Sequence, residues 1–407
     1  MAAGQPVVIV GAGPGGAALA LLLASRGIAT TLIERQHDFE REFRGEVMMP
    51  SGLAVLEALG VDLEKDGIPH ASPEAIVFRV EGRVAGRLEA SEGFFAGQAP
   101  LFVSQPALLE HLVACAARHP GFRLLRGVAV RGLDSDGGRV SGVRVAGEEG
   151  EQHVPASLVV GADGRASIVR RRGGFHARDL GAPMDIVWTK LPWPPAWPER
   201  AAHAYLGGGH LLVAIPAPDG LLQLGWVILK GTFGELRGRG ANDWVRELAN
   251  HVGDELAPHL RENAERLTRP FLLDGVTDRV EGWARPGVLV IGDAAHTMSP
   301  VGGQGINIAL RDAVVAANHL VPALRAGGDP AALDAAAARV EPERGPEVDH
   351  IQALAAQPPR LVLARGAFPR MVRAALPWLV RLPFVRGAAE RTAEAFLHGV
   401  TDVQLRV

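Results

Sequence analysis

One cysteine, one tyrosine and three lysines are all that 407 residues contain of those types. The lone Cys115 rules out an intrachain disulfide and a thiolate metal cluster, and no metal site is expected. No uninterrupted apolar run approaches the roughly 18 residues of a membrane span. The N-terminal residues lack the charged, apolar and cleavage regions of a secretory signal. No basic domain stands apart and the formal charge is only −3, so no nucleic-acid partner is expected. Lys65, Lys190 and Lys230 are the only lysines, and arginine carries the rest of the positive charge as compositional background. Internal repeats and low-complexity tracts are missing too. A soluble cytoplasmic protein is expected, as a monomer or homodimer.

Hydrophobic residues make up 47% of the chain and charged ones 21%, the balance of an ordinary folded protein. The length suits two domains, or one large domain with an insertion. From Pro6 to Glu34 the pattern is a buried strand (PVVIV), a glycine turn (GAGPGG), a helix (AALALLLASRG) and a second strand closing on Glu34. Gly11 permits the tight turn, Gly13 admits a pyrophosphate to the backbone, and Gly16 lets the helix pack close to the sheet. Glu34 falls about twenty residues on, where a carboxylate can hold a ribose hydroxyl. This is a dinucleotide-binding unit rather than an isolated glycine turn.

In FRGEVMMPSGLAVLEALG a loop leads into a helix, with Ser51 as cap and Gly60 as stop; Arg44 is placed to meet phosphate or ring. Pro73 to Ala90 alternates apolar and polar residues, as antiparallel strands do. A helix over SQPALLEHLVACAARHPG and a meander of short strands follow. SLVVGADGRASIVRRRGG then repeats the strand, carboxylate, glycine and helix order. From Met184 to about Lys230 the chain is first rich in Trp and Pro (VWTKLPWPPAWP) and then alternates in HAYLGGGHLLVAIPAP and LLQLGWVIL, which predicts a second sheet. Asn242 to Glu265 reads as helix.

The stretch VLVIGDAAHTMSPVGGQGINIALRD, from Val288 to Asp312, is a buried strand, Asp293 at its end, a glycine-rich loop and a helix from Ile306. Free N–H groups and the positive end of the helix dipole there favour an anion. Beyond Asp312 the chain reads as helical to its end. Its last part carries seven arginines from Arg360 to Arg391 among aliphatic residues. Either those arginines face solvent, or the surface dips into a lipid interface.

GAGPGG with Glu34 and Arg35, GADG at Gly161 to Gly164, and GDAAHTMSPVGGQGIN at Gly292 to Asn307 together resemble the three fingerprints of group A flavoprotein monooxygenases, the aromatic-hydroxylase family. The resemblance spans about the first 345 residues. It implies an α/β fold: a Rossmann-like FAD-binding domain (1–72, 101–182 and 274–345), an interleaved antiparallel-sheet substrate domain (73–100 and 183–273), and a C-terminal helical region (346–407). It also implies FAD as cofactor, with NADPH or NADH as a transient co-substrate. Gly11, Gly13, Gly15 and Gly16 would hold the pyrophosphate, and Glu34 and Arg35 the adenosine end. Arg44 would contact phosphate or flavin, Gln105 the ribityl chain, and Val130 the adenine. Asp163 belongs to the segment tied to both cofactors. Asp293 would bond a ribityl hydroxyl, and Gly305, Ile306 and Asn307 would meet the pyrimidine edge of the flavin.

The implied activity is hydroxylation or epoxidation of an apolar aromatic or quinone-like molecule through a flavin C4a-hydroperoxide, in specialised metabolism. Pro300 and Val301 would wall the oxygen site. Met48, Met49, Tyr205, Leu212, Val213 and Trp226 are the expected substrate wall, with His210 as the base. His296 is read as structural. The competing readings are an isoprenoid-chain reductase, a flavin-dependent halogenase and a ligand-binding flavoprotein without turnover. The halogenase reading is weakened because no WxWxIP segment occurs.

Overall fold

The computed structural model describes residues 5–40, 46–95, 98–147, 150–182, 184–197, 199–234, 241–356, 362–364, 366–379 and 382–407. At its centre lies the Val7–Val10 strand, apolar and buried at every position. It pairs in parallel with Thr30–Glu34 on one side and Leu158–Gly161 on the other. Phe122–Arg126 extends the first side, Val288–Val290 the second, and antiparallel Ala284–Arg285 ends the second edge. Five strands therefore end along one rim, and the order reverses at the central strand. Such a reversal leaves a crevice at the carboxyl ends of the strands.

The crevice depends on close backbone approach. Gly11 has φ +96°, and a Cβ there would lie 2.5 Å from the Ala162 carbonyl oxygen. At Gly16 a Cβ would collide with the carbonyl oxygen of Gly11. These two glycines seat the Pro14–Ala24 helix on the sheet. Gln105–Ala117 and Gly305–Arg325 pack beside that helix, and their apolar faces share one core with the sheet.

The second layer is a seven-stranded sheet in the order Phe271–Leu273, Met184–Leu191, Leu222–Leu229, His210–Pro216, Ala202–Gly207, Ala75–Val80, Arg83–Glu89. Its neighbours run antiparallel except at one junction, where Ala202–Leu206 lies parallel to Ile76–Val80. Two distant stretches of sequence are thus joined in one sheet. Helices Ala241–Asn250 and Ala257–Glu262 cover one of its faces.

A buried ionic network ties the long helix to everything around it. Asp312, fully buried, accepts from the Gly292 N–H (3.0 Å) and from Arg344 Nε (2.9 Å), and its Oδ2 lies 2.7 Å from His296 Nε2. Arg344 also pairs with Glu347, whose carboxylate takes Arg311 at 2.9 Å and the Val400 N–H at 2.8 Å. Burial opposes ionisation of Asp312, but His296 and Arg344 outweigh it and hold the carboxyl below its usual range. His296 is structural, as its place in the sequence implied.

Three expectations need correcting. The chain is not helical to its end. Val400–Val407 is neither helix nor strand and lies along the long helix, with Val403, Leu405 and Val407 packed on the core. Asn318 holds this tail by bonds to the Gln404 carbonyl and the Arg406 N–H, both 2.8 Å. Ser51 is not a cap, because the helix Pro50–Ala58 starts one residue earlier, with Pro50 at its first position. Nor do all the late arginines face solvent: Arg373 is buried against Glu81 at 3.0 Å.

Removing one partner from such a network strands the others without solvent. Asp312→Ala is expected to cost about 3–5 kcal/mol, measured by urea denaturation. An unchanged midpoint would show that the network does not hold the fold.

Candidate active site

The crevice opens into one cavity of about 1030 Å³ with two arms. That volume is at the top of the ~300–1,000 Å³ range of small-molecule sites. One arm is floored by glycine and edged by charge. Gly11, Gly13 and Gly15 line it, with Glu34 and Arg35 at the end of the second strand, Val130 and Arg131 from the meander, and Gln105 at a helix start. Nothing lies within 4 Å of a Cβ built on Gly13 or on Gly305, so both leave open space at a helix N-terminus. Neither of those helices has a side-chain cap. Their first N–H groups are available to an anionic ligand.

The carboxylates of this arm are held in different ways. Glu34 is buried; its carboxylate accepts from the Ala12 N–H (2.9 Å) and the Gln36 N–H (3.0 Å). Asp163 caps the short helix Ile168–Arg172 through the Ile168 N–H (2.6 Å) and the Ser167 hydroxyl. Burial pushes its carboxyl up, and those bonds offset the push only in part. Asp293 is a third exposed and faces Arg165 at 3.4 Å. Arg165 in turn donates to the Asp274 carbonyl at 2.7 Å. Arg165, Arg171 and Arg172 line the cavity as well. They stand in the quoted GRASIVRRRGG segment, where a run of arginines after the turn was the available signal.

The other arm is apolar. Met298, Pro300 and Val301 close one side of it, and Val47 and Phe102 another. The seven-stranded sheet supplies Ile186, Trp188, Leu211, Val213, Ile215 and Val227, and Val362 and Leu363 come from near the C-terminus.

Of the sheet residues expected in this wall, Val213 lines the cavity and the others do not. Tyr205, Leu212 and Trp226 point to the far face, into the core beneath helices Ala241–Asn250 and Ala257–Glu262. His210 is there too, stacked on His251 with ring centroids 3.6 Å apart and accepting from Trp226 Nε1 at 3.2 Å. It is therefore not placed as a base for anything in the cavity. Both faces of this sheet are buried, so apolar alternation could not say which one meets the ligand. Met48 is displaced in the same manner: it is fully buried in the main core, and Val47 faces the cavity. Met49 sits with Phe95 and Leu397 in a separate small cluster.

The glycine-rich loop is held from behind. Asn307 does not line the cavity. Its side chain accepts from the Met49 N–H at 2.8 Å and donates to the Gly303 and Val47 carbonyls. Gln304 likewise donates to the Gly302 and Phe396 carbonyls, at 2.8 and 2.9 Å. Gly305 and Ile306 remain on the cavity side. Gly16 is a packing glycine rather than part of the lining. Arg44 lies outside the described residues.

Glu46 was not singled out from the sequence. Burial pushes its carboxyl up to about 7, with Lys190 opposing and Asp219 adding to the rise. Its folded pKa lies above the unfolded one. The stability contributed by the neutral carboxyl is thus complete below about 4.5 and is lost as pH rises through about 7. Glu46→Gln removes that loss. The Tm advantage of the variant over the wild type should grow between about pH 5 and about pH 8; a constant difference in thermal melts would contradict the buried site.

Comparison with known proteins agrees with this arrangement. The model of the family described as "FAD binding domain" matches residues 5–344. A 6-methylpretetramide 4-monooxygenase of Streptomyces rimosus is 35% identical over 392 residues, covering 95% of this chain and 91% of that protein. Among solved structures, PqsL of Pseudomonas aeruginosa in complex with 2-aminobenzoylacetate superposes with a TM-score of 0.76 at 23% identity, covering 92% of this chain and 99% of that one. The p-nitrophenol 4-monooxygenase PnpA of Pseudomonas putida reaches 0.79 at 18% identity, over 98% and 99% of the two chains. The chain belongs to the FAD-binding family of group A flavoprotein monooxygenases and is a FAD-dependent monooxygenase.

Proposed function

We propose that this enzyme hydroxylates an apolar, polycyclic aromatic molecule of the polyketide kind, using NADPH or NADH and dioxygen. The observation that carries the reading is the union of the two arms: a glycine-floored arm for a dinucleotide opens directly into an arm without a charged wall. The name of the Streptomyces rimosus relative supports the substrate class.

The residues present fit FAD. The open positions above Gly13 and Gly305 leave room for groups that any side chain would displace. Gly11, Gly13 and Gly15 would hold the pyrophosphate, Glu34 and Arg35 the adenosine end, and Val130 the adenine. Gln105 and Asp293 would hold the ribityl chain. FAD bound there supplies the redox chemistry, taking reducing equivalents from the nicotinamide and passing them to dioxygen.

The protein's own part is positioning and exclusion. N–H groups at Gly305 and Ile306 are preorganised donors for negative charge developing at the loop. Pro300, Val301 and Met298 keep water from the same place, and the sheet wall orients an aromatic ring by shape alone. No lysine lines the cavity: Lys190 pairs with Asp219, Lys230 with Asp185 and Asp274, and Lys65 with Asp62.

Purified protein should be yellow, and NAD(P)H oxidation under air should quicken when a polycyclic phenol is added. Product formed equally well without oxygen would replace hydroxylation by reduction. Asp293→Ala should weaken FAD retention about tenfold to a hundredfold, the worth of a hydrogen bond to a charged group; undiminished retention on gel filtration would remove Asp293 from the cofactor site.

The parity of the wall is testable separately. Val213→Trp should raise the KM for the aromatic substrate at least tenfold while FAD stays bound. Leu212→Ala should leave KM alone and cost about 2–5 kcal/mol of stability by opening a core cavity. The reverse pattern in steady-state kinetics and denaturation would put the substrate on the other face.

A further inference from the structure

Six of the eleven large apolar side chains exposed among the described residues fall between positions 368 and 384. Phe368 is 74% exposed, Met371 67% and Phe384 73%, with Trp378, Leu379 and Leu382 beside them in sequence. Exposed apolar residues scattered singly are ordinary; a cluster of this density marks a contact surface. Phe368, Met371, Trp378 and Leu379 share one face of the helix Ala367–Leu379, by their spacing. The opposite face is anchored, because Arg373 is buried against Glu81 and donates to the Ala364 carbonyl at 2.7 Å. The helix is thus pinned to the protein on one side and presents aromatic and aliphatic side chains on the other.

The sequence around this face is strongly basic, and two exposed arginines stand beside carboxylates: Arg370 at 3.7 Å from Glu81 and Arg386 at 2.8 Å from Glu390. Between Asp349 and Glu390 the sequence holds six arginines and no acidic residue. Arg370, on the same helix, is 73% exposed, and Arg386, on the next helix, 69%. An exposed apolar helix face set among arginines fits the interface of an anionic bilayer, where rings enter the headgroup boundary and guanidinium groups meet phosphates. No described helix is long and apolar enough to cross a membrane, so the contact would be superficial.

Its position gives it a use. Val362 and Leu363, just before the helix, line the apolar arm of the cavity, and Phe396 of the following helix Pro383–His398 packs on Gly302 of the loop. We propose that the C-terminal helices dock this enzyme on an anionic lipid surface, so that apolar substrate passes from the bilayer to the cavity without crossing bulk water.

The test is co-sedimentation of the FAD-loaded full chain with vesicles of phosphatidylcholine containing about a third phosphatidylglycerol, an anionic surface, beside vesicles of phosphatidylcholine alone. Preferential binding to the anionic vesicles, weakened by salt, is expected. Phe368→Ser with Met371→Ser should lower the partition at least tenfold while the flavin spectrum is kept. Phe384→Ser, on the neighbouring helix, should lower it independently, which covers a failure of the first helix to fold. Absence of sedimentation with anionic vesicles would overturn the proposal. So would a concentration-dependent dimer that Phe368→Ser dissolves, since the face would then belong to a second copy of this chain. Sedimentation reads lipid binding whether or not an aromatic is turned over, so its failure is distinct from failure of the proposed hydroxylation.

Discussion

Asp312 is the point on which the architecture turns. Its carboxylate reaches the N–H of Gly292, the imidazole of His296 and the guanidinium of Arg344, in a place from which water is excluded. One side chain therefore fixes the angle between the end of the Val288–Val290 strand and the helix that begins at Gly305. Asp293 follows Gly292 directly, and the glycine loop spans the gap between these two elements. The relative positions of Asp293, Pro300 and Gly305 are thus set by an ion network lying behind the cavity. Arg344, Glu347 and Arg311 continue it to the tail at Val400 and Thr401. A buried network of this kind is a poor source of net stability compared with apolar packing. Here it gives one geometry to a glycine-rich loop that could otherwise adopt many.

Rigidity at the loop matters because the neighbouring chemistry is one of placement. Helix N-termini attract negative charge only within about the first turn, so the open space above Gly305 must stay where it is relative to the apolar arm. The side chains that secure this are polar and face away from the ligand. Asn307 bonds to Met49, Val47 and Gly303, and Gln304 bonds to Gly302 and Phe396. The cavity side of the same loop is left to backbone and to Pro300 and Val301. Polarity is spent on the outside of the loop, and the inside is kept dry.

This division explains what the sequence revealed and what it concealed. Backbone-dependent features were legible: Gly11 and Gly13, the carboxylates Asp163 and Asp293, and the helix start at Gly305 are dictated by turn geometry and by charge at strand ends. The alternating pattern also gave the second sheet through Ala75–Val80, Arg83–Glu89, Ala202–Gly207, His210–Pro216 and Leu222–Leu229. It did not give the strand Met184–Leu191, which opens a Trp- and Pro-rich stretch. Which face of that sheet meets the cavity was not legible, because helices Ala241–Asn250 and Ala257–Glu262 make the far face as apolar as the near one. Leu212 and Trp226 read as well as Leu211 and Val227, and a shift of one residue exchanges them. Glu46 was hidden for a different reason. Its character comes from burial, reinforced by Asp219, more than a hundred and seventy residues away in sequence.

The C-terminal helices extend the same logic outward. The cavity's apolar arm is closed in part by Val362 and Leu363, so whatever enters it passes beside a segment whose next helix exposes Phe368 and Met371. An apolar substrate in water would be drawn to that surface whether or not lipid were present. An exposed apolar face costs a soluble protein in aggregation unless something covers it. Arg370 and Arg386, each more than two-thirds exposed although paired with Glu81 and Glu390, bias that face towards an anionic cover rather than a second copy of itself. Charge thus decides between two partners that the apolar residues alone would treat alike.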